Sequence, residues 1–169
     1  MKLGIIITSY NNQETIENAI QSAYKLKKKN KIYIVLIDDC SNDLTIKFAN
    51  KAKRKNQIDI LHINNKNLGI SKCRNIGINL CLDTDYVTFL DGDDVINSGF
   101  SNFISKKRIC GDLIAFNFNY LINKKIIKNY FFKKDTILSK KDIKKYFYNY
   151  LNKPNKNSLF TTCWAKLYK

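Results

Sequence analysis

Four short apolar runs, at residues 3–8, 32–37, 58–63 and 86–90, alternate with segments whose apolar residues recur at helical spacing. The runs are rich in Ile and show little polar alternation, which marks strands buried on both faces, as in a parallel sheet. Between the first two, Ile16, Ala19, Ile20, Ala23 and Tyr24 define a helix. Asn11 and Asn12 offer N-caps for it, and the lysines of residues 25–31 suit its C-terminus. Ser41-Asn42-Asp43 reads as a turn and cap before a helix reaching about residue 55, and the loop 64–69 precedes a helix over about 71–82. This β-α alternation predicts a Rossmann-like α/β fold, a mostly parallel sheet flanked by helices on both faces.

The polar clusters fall just after the strands. Thr8 to Asn11, Asp38-Asp39, Asn64 to Asn67 and Asp91 to Asp94 should therefore share one edge of the sheet, where open α/β sheets bind ligands. Beyond Asp94 the pattern changes. A short helix is expected at 98–107, strands at 112–121 and 125–132 turning at Asn123-Lys124, a helix at 139–151 capped by Ser139, and extended chain at 159–168. The expected organisation is one domain in two halves, 1–95 and 96–169, without repeats or linkers.

A length of 169 residues with 44% hydrophobic residues supports one sizeable core. No apolar run reaches the roughly 18 residues of a membrane span. Residues 1–8 read as a first strand rather than a signal peptide. The five cysteines (Cys40, Cys73, Cys81, Cys110, Cys163) are odd in number and form no C-x-x-C pair, so reduced thiols in a cytoplasmic protein are expected. The formal net charge is +16, with only three of the 30 basic residues arginine: Arg54, Arg74 and Arg108. Such a surface suits an anionic substrate, an anionic membrane face or nucleic acid.

Asp91-Gly92-Asp93-Asp94, a D-x-D arrangement, carries the strongest chemistry. Three mutually repelling carboxylates need a cation, and hard oxygen donors suit Mg²⁺ or Mn²⁺. Gly92 is expected to allow a sharp turn and ligand approach. The same residues also suit a solvated turn, but their place after an apolar strand favours the cation. Asp39 ends a buried strand and can accept a hydrogen bond from a nucleobase or ribose, while Ser41 and Asp43 are expected to cap the next helix. In Asn67 to Gly77, a Gly turn opens a helix whose free N–H groups favour anions, and Arg74 lies one turn in. The sole histidine, His62, lies inside a strand and reads as structural.

Taken in order, Thr8-Ser9-Tyr10-Asn11, Asp38-Asp39-x-Ser41-x-Asp43-x-Thr45, Asn67-x-Gly69-x-x-x-x-Arg74-Asn75-x-Gly77 and Asp91-Gly92-Asp93-Asp94 resemble the inverting family-two glycosyltransferases of GT-A fold. The resemblance is strongest over residues 1–100. It implies that Thr8 and Tyr10 line a nucleobase pocket and that Asp39 bonds the base, commonly uracil. It further implies that Arg74 lies near the base or pyrophosphate, that Asp91 contacts the ribose or metal, and that Asp93 coordinates Mg²⁺ or Mn²⁺. The implied activity is metal-dependent transfer of a sugar from a nucleotide-sugar donor to a glycan or lipid-linked acceptor, in bacterial surface polysaccharide synthesis.

One departure stands out. The acceptor-side general base of such enzymes follows a segment like Thr162 to Tyr168, and here the sequence ends at Lys169. The later acids, Asp112, Asp135 and Asp142, lack that context, so the expectation is a truncated acceptor half with its base beyond Lys169. Two alternatives follow: a non-catalytic sugar-nucleotide-binding remnant, and a basic nucleic-acid-binding module. Residues 120–157 hold eleven Lys against two Asp, with eight interleaved aromatics. A solvated lysine face over an aromatic core, peripheral docking on the inner face of an anionic membrane, and single-strand nucleic-acid binding are the readings of this stretch, in that order.

Overall fold

Every residue of β1 (Lys2–Ser9) after Lys2 is buried, because the strand runs through the interior of the sheet with a partner on each side. The structure is a computed structural model describing residues 1–27, 30–104, 111–122, 125–129, 136–152 and 162–169. Strands β2 (Lys31–Asp38), β3 (Ile60–Ile63) and β4 (Tyr86–Asp91) follow, separated by α1 (Ile16–Lys27), α2 (Thr45–Arg54) and α3 (Ile70–Asn79). The spatial order β3-β2-β1-β4 is parallel throughout. The chain winds one way from β1 to β3 and then returns to the other side of β1, so the switch point lies between β1 and β4. Register sets Thr8 beside Asp91, Ser9 beside Asp38 and Asp38 beside Ile63. The expected parallel sheet and its shared polar edge are both present.

Strand periodicity divides the core. Ile6, Val35, Ile37 and Phe89 point to one face and cluster with Cys73 and Cys81, while Ile76 and Leu80 at the end of α3 pack against them. Ile5, Ile7, Ile34 and Leu36 point to the other face and are equally buried. The apolar stripes of α1 (Ile16, Ala19, Ile20, Ala23) and α2 (Ala49, Ala52) are buried as well. On α3, a Cβ added at Gly77 would lie 2.2 Å from Ile6 Cγ2, so the helix approaches β1 closely only because that side chain is missing. Burial pushes the Cys73 and Cys81 thiols up to about 11, and the four described cysteines are free.

The later elements are α4 (Ser98–Ile104), β5 (Leu113–Ala115), β6 (Phe118–Ile122), β7 (Lys125–Asn129), α5 (Lys140–Asn152) and β8 (Lys166–Tyr168). The sheet extends to six strands in the order β3-β2-β1-β4-β8-β5, with β8 antiparallel to β4, while β6 and β7 form an antiparallel pair. The chain divides into two compact units, residues 1–113 with 167–169, and residues 114–166. Among the described residues no helix is long and apolar enough to cross a membrane.

Several local expectations are corrected. Asn11 and Asn12 do not cap α1, which begins at Ile16. Asn11 Oδ1 accepts from Asn42 N–H and Asn12 Oδ1 from Tyr10 N–H, so both side chains tie the loop instead. The strand expected over 112–121 is two strands, since Phe116 N–H turns aside to Ala165 O. Gly92 does lie in a turn, closed by Asp94 N–H to Asp91 O at 2.9 Å, although without a positive φ. A Cβ there would meet Asn12 Oδ1 at 2.7 Å, so close packing favours glycine at this turn as well. No residue of α5 is buried, so its aromatics do not form the expected core. Ser139 does cap α5. Residues 105–107, Arg108, Cys110, Asn123-Lys124, 130–132 and 159–161 lie outside the described residues.

Candidate functional site at the carboxyl edge of the sheet

The strand ends are tied together first by Asp38, which is fully buried. Its Oδ2 accepts from Ser9 Oγ (2.9 Å) and Ser41 Oγ (2.6 Å), and its Oδ1 from Ser41 N–H (2.8 Å). A buried carboxylate is tolerated when donors surround it, and these join β1 to the turn after β2. Ser41 also accepts from Asn11 N–H, so it braces the turn and does not cap α2. Asp43 accepts from Thr45 N–H at 2.8 Å but stands one residue before the N-cap, Leu44, which makes no side-chain capping bond, so neither acts as the expected cap.

Asp39 is held differently. Its Oδ1 accepts from Leu68 N–H and Asn64 Nδ2, and its Oδ2 from Gly69 N–H, each at 2.8 Å. Burial pushes this carboxyl up, but the Leu68, Asn64 and Gly69 donors outweigh it and the net shift is downward. Gly69, at φ 83°, turns its N–H toward Asp39 in a conformation that favours glycine. The Cys73 thiol adds a fourth, weaker donor to this carboxyl. Asp39 is thus an anion that can only accept.

Arg74 meets Asp91 across the switch point. Its Nη2 donates to Asp91 Oδ1 at 2.9 Å, and Thr8 Oγ1 reaches the same oxygen at 3.2 Å. The guanidinium lies 5.7 Å from the centroid of the Phe89 ring, within cation–π range. Its side chain is 16% exposed, and Nε is buried without a hydrogen-bond partner. An exposed helical arginine does not describe this residue. Tyr10 is 49% exposed at the same edge. Asp93 is exposed. Asp94 keeps solvent contact, yet its carboxyl is pushed up to about 6 by desolvation, then by Asp93 and Asp91. Among the described residues, no group of three or more His, Cys, Asp or Glu side chains is gathered to hold a metal ion.

Thr8, Arg74 and Asp91 are therefore in direct contact, and Asp39 is joined to the start of the helix that carries Arg74. Sequence reasoning passed over Asn64 as a single residue. It is buried, donates to Asp39, and sets its Oδ1 3.1 Å from His62 Nε2. Since the Asp39 carboxylate demands the amide nitrogen, the Asn64 oxygen faces His62, and His62 must carry its proton on Nε2. The signal was there: a polar amide directly after an apolar strand.

A parallel sheet of this order, with carboxylates and an arginine gathered at its switch point, defines an open α/β protein with a candidate ligand site at its carboxyl edge. Residues 4–165 match the model of Glycosyl transferase family 2, and the chain belongs to that family. It is 30% identical over 98 residues to the poly(ribitol-phosphate) beta-N-acetylglucosaminyltransferase TarS of Staphylococcus aureus, covering 57% of this chain and 17% of TarS. It is 30% identical over 152 residues to the UDP-Glc:alpha-D-GlcNAc-diphosphoundecaprenol beta-1,3-glucosyltransferase WfaP of Escherichia coli, covering 88% of this chain and 53% of WfaP. The crystal structure of S. aureus TarS 1-349 in complex with UDP superposes with a TM-score of 0.63 at 26% identity, covering 79% of this chain and 40% of that one. The GT-A fold is thus established, and the chain spans about half of WfaP and a smaller part of TarS.

Proposed function

We propose that the chain supplies the donor-binding part of a glycosyltransferase that takes a sugar from a nucleotide donor, a UDP-sugar in this reading, for bacterial surface polysaccharide. The observation that carries it is the Thr8–Asp91–Arg74 contact, one strand away from the acceptor-only Asp39, at the switch point of a family-two chain. TarS, solved with UDP, and WfaP, named for UDP-Glc, support the choice of base. These relatives do not favour a non-catalytic remnant or a nucleic-acid module. The reading assigns residues 1–95 to the donor half and 96–169 to part of the acceptor half.

In this reading Asp39 accepts the N–H of uracil, with Thr8 and Tyr10 lining the base pocket. Arg74, its Nε lacking an acceptor, lies near the base or pyrophosphate, and Asp91 meets the ribose. The acidic cluster fits Mg²⁺ or Mn²⁺. Desolvation first, and then Asp93 and Asp91, raise the Asp94 carboxyl, and a cation would relieve the repulsion among the three. Such ions take one or two carboxylates and complete their shell with phosphate oxygens, so Asp93, with Asp91 as second candidate, suffices. When bound, the ion offsets charge on the departing diphosphate. The acceptor hydroxyl attacks the anomeric carbon in line, the bond to the diphosphate oxygen breaks, and configuration inverts. The acceptor is a glycan or is carried on a lipid, with peripheral contact at the inner membrane face. The general base is assigned to none of these 169 residues.

Calorimetric titration tests this. UDP should bind, and Mn²⁺ should tighten it about tenfold or more, on the order of 1.4 kcal/mol. Asp93→Ala should abolish the Mn²⁺ gain, and Asp39→Ala should remove most UDP affinity with the circular dichroism spectrum unchanged. Failure of every nucleoside diphosphate to bind, with or without Mn²⁺, would sink the reading.

A further inference from the structure

We propose that α5 docks the protein on an anionic bilayer, lying in the headgroup plane. The inference names the element behind the membrane contact proposed above and is independent of the donor site. Helix α5 carries Lys140, Lys141, Lys144 and Lys145 against Asp142 alone, a net +3 from four cations and one anion. At about 100° per residue, Tyr146, Tyr150, Ile143, Phe147 and Leu151 fall on one arc, with Lys141, Lys145 and Asn149 on the other side.

A surface helix of a globular protein normally buries such a stripe. Here no residue of α5 is buried, and Ile143 is 42% and Leu151 62% exposed. Tyr148, on the lysine side of the stripe, is 67% exposed. The β6–β7 pair of the same unit repeats the chemistry, exposing Leu121, Ile122, Ile126 and Ile127 beside Lys125 and Lys128.

Charge decides the occupant. A second copy of the chain would set one lysine-rich helix against another. Nucleic acid would satisfy the lysines but leave Ile143 and Leu151 in water. An anionic lipid surface satisfies both at once: lysines reach the headgroups, aliphatic side chains enter the acyl boundary, and tyrosines sit at the interface.

The test is co-sedimentation of the full chain with phosphatidylcholine vesicles, with and without about a third phosphatidylglycerol. Partition onto anionic vesicles should exceed that onto neutral ones at least tenfold. Lys141→Gln, Lys144→Gln and Lys145→Gln together should weaken it about a hundredfold, at roughly one tenfold step or a little less per lysine. Ile143→Asp with Leu151→Asp should abolish it, and since both side chains are exposed the circular dichroism spectrum should not change. UDP titration of the same variants should match the parent, which separates this inference from the donor reading. Four results overturn it: no partition onto anionic vesicles, equal partition onto neutral ones, indifference to both variants, or self-association that the aspartates abolish.

Discussion

Asp38 and Asp39 stand at the end of β2 and Asp91 at the end of β4, with β1 between them, and the donors around each differ. Asp38 is consumed by Ser9 and Ser41, Asp39 is held by Leu68, Asn64 and Gly69 with the Cys73 thiol beside them, and Asp91 balances Arg74. The folded pKa of Asp39 is depressed, so the stabilisation from its Leu68, Asn64 and Gly69 bonds is present above the ordinary value of 3.8 and is lost as pH falls below it. Asn64→Leu, which removes one donor, should narrow that acid range, so that urea midpoints of parent and variant converge below about pH 3. Midpoints that stay equally far apart at every pH would show that the bond does not hold the anion. Gly77 gives a second prediction at this scale. Gly77→Ala gains about 1 kcal/mol of helix propensity, but its Cβ would stand 2.2 Å from Ile6 Cγ2. Overpacking of about 3 kcal/mol wins, so urea denaturation should show a net loss of about 2 kcal/mol. A neutral or stabilising result would mean that α3 moves away from β1 at little cost.

Elements read well from sequence where their causes are local. The four Ile-rich runs became β1 to β4, and the helical spacing of residues 16–24 and 71–82 became α1 and α3, because burial and period are written in the residues themselves. Asp39 and Arg74 stood out as candidates for a related reason: one is a charge directly after a buried run, the other an arginine one turn into the helix that a glycine opens. What was not legible depends on distant partners. Ser41 and Asn42 occupy the loop at Asn11, and Ala165 draws Phe116 out of the expected strand. Helix α5 is a local case. Ser139 donates to Asp142 Oδ2 at 2.6 Å, and Asp142 N–H returns to Ser139 Oγ at 3.3 Å, a capping box. The Ser139 hydroxyl and N–H hold the Asp142 carboxyl below its ordinary value, so the cap weakens as pH falls below 3.8. Ser139→Ala should therefore lower the amide protection of the first α5 turn at neutral pH, and little further on acidification. Unchanged exchange rates at Asp142 and Ile143 would show that the cap contributes nothing in solution.

Across the whole molecule, the first unit is completed by the last three residues of the chain. Tyr168 pairs with Val87 across 81 positions (168 − 87) and sets its ring 5.7 Å from Phe89, the residue beneath Arg74. Lys169 N–H bonds Asp112 O at 3.0 Å, and Leu167 is fully buried. A strand of three residues would by its length be forecast to tolerate substitution, and the burial of Leu167 forecasts the opposite. Burial should decide, because removing the Leu167 side chain leaves a cavity that the surrounding strands cannot fully close. Leu167→Ala is expected to cost about 3 kcal/mol, which for a chain of this size lowers Tm by about 6–12 °C. UDP affinity should fall by much less at a temperature where the variant stays folded, since the strand ends that carry Asp39 and Asp91 point the other way along the sheet edge. A loss under about 1 kcal/mol would show that β8 frays independently of β4. In that case the buried support under Phe89 and Arg74 would rest on α3 and β1 alone.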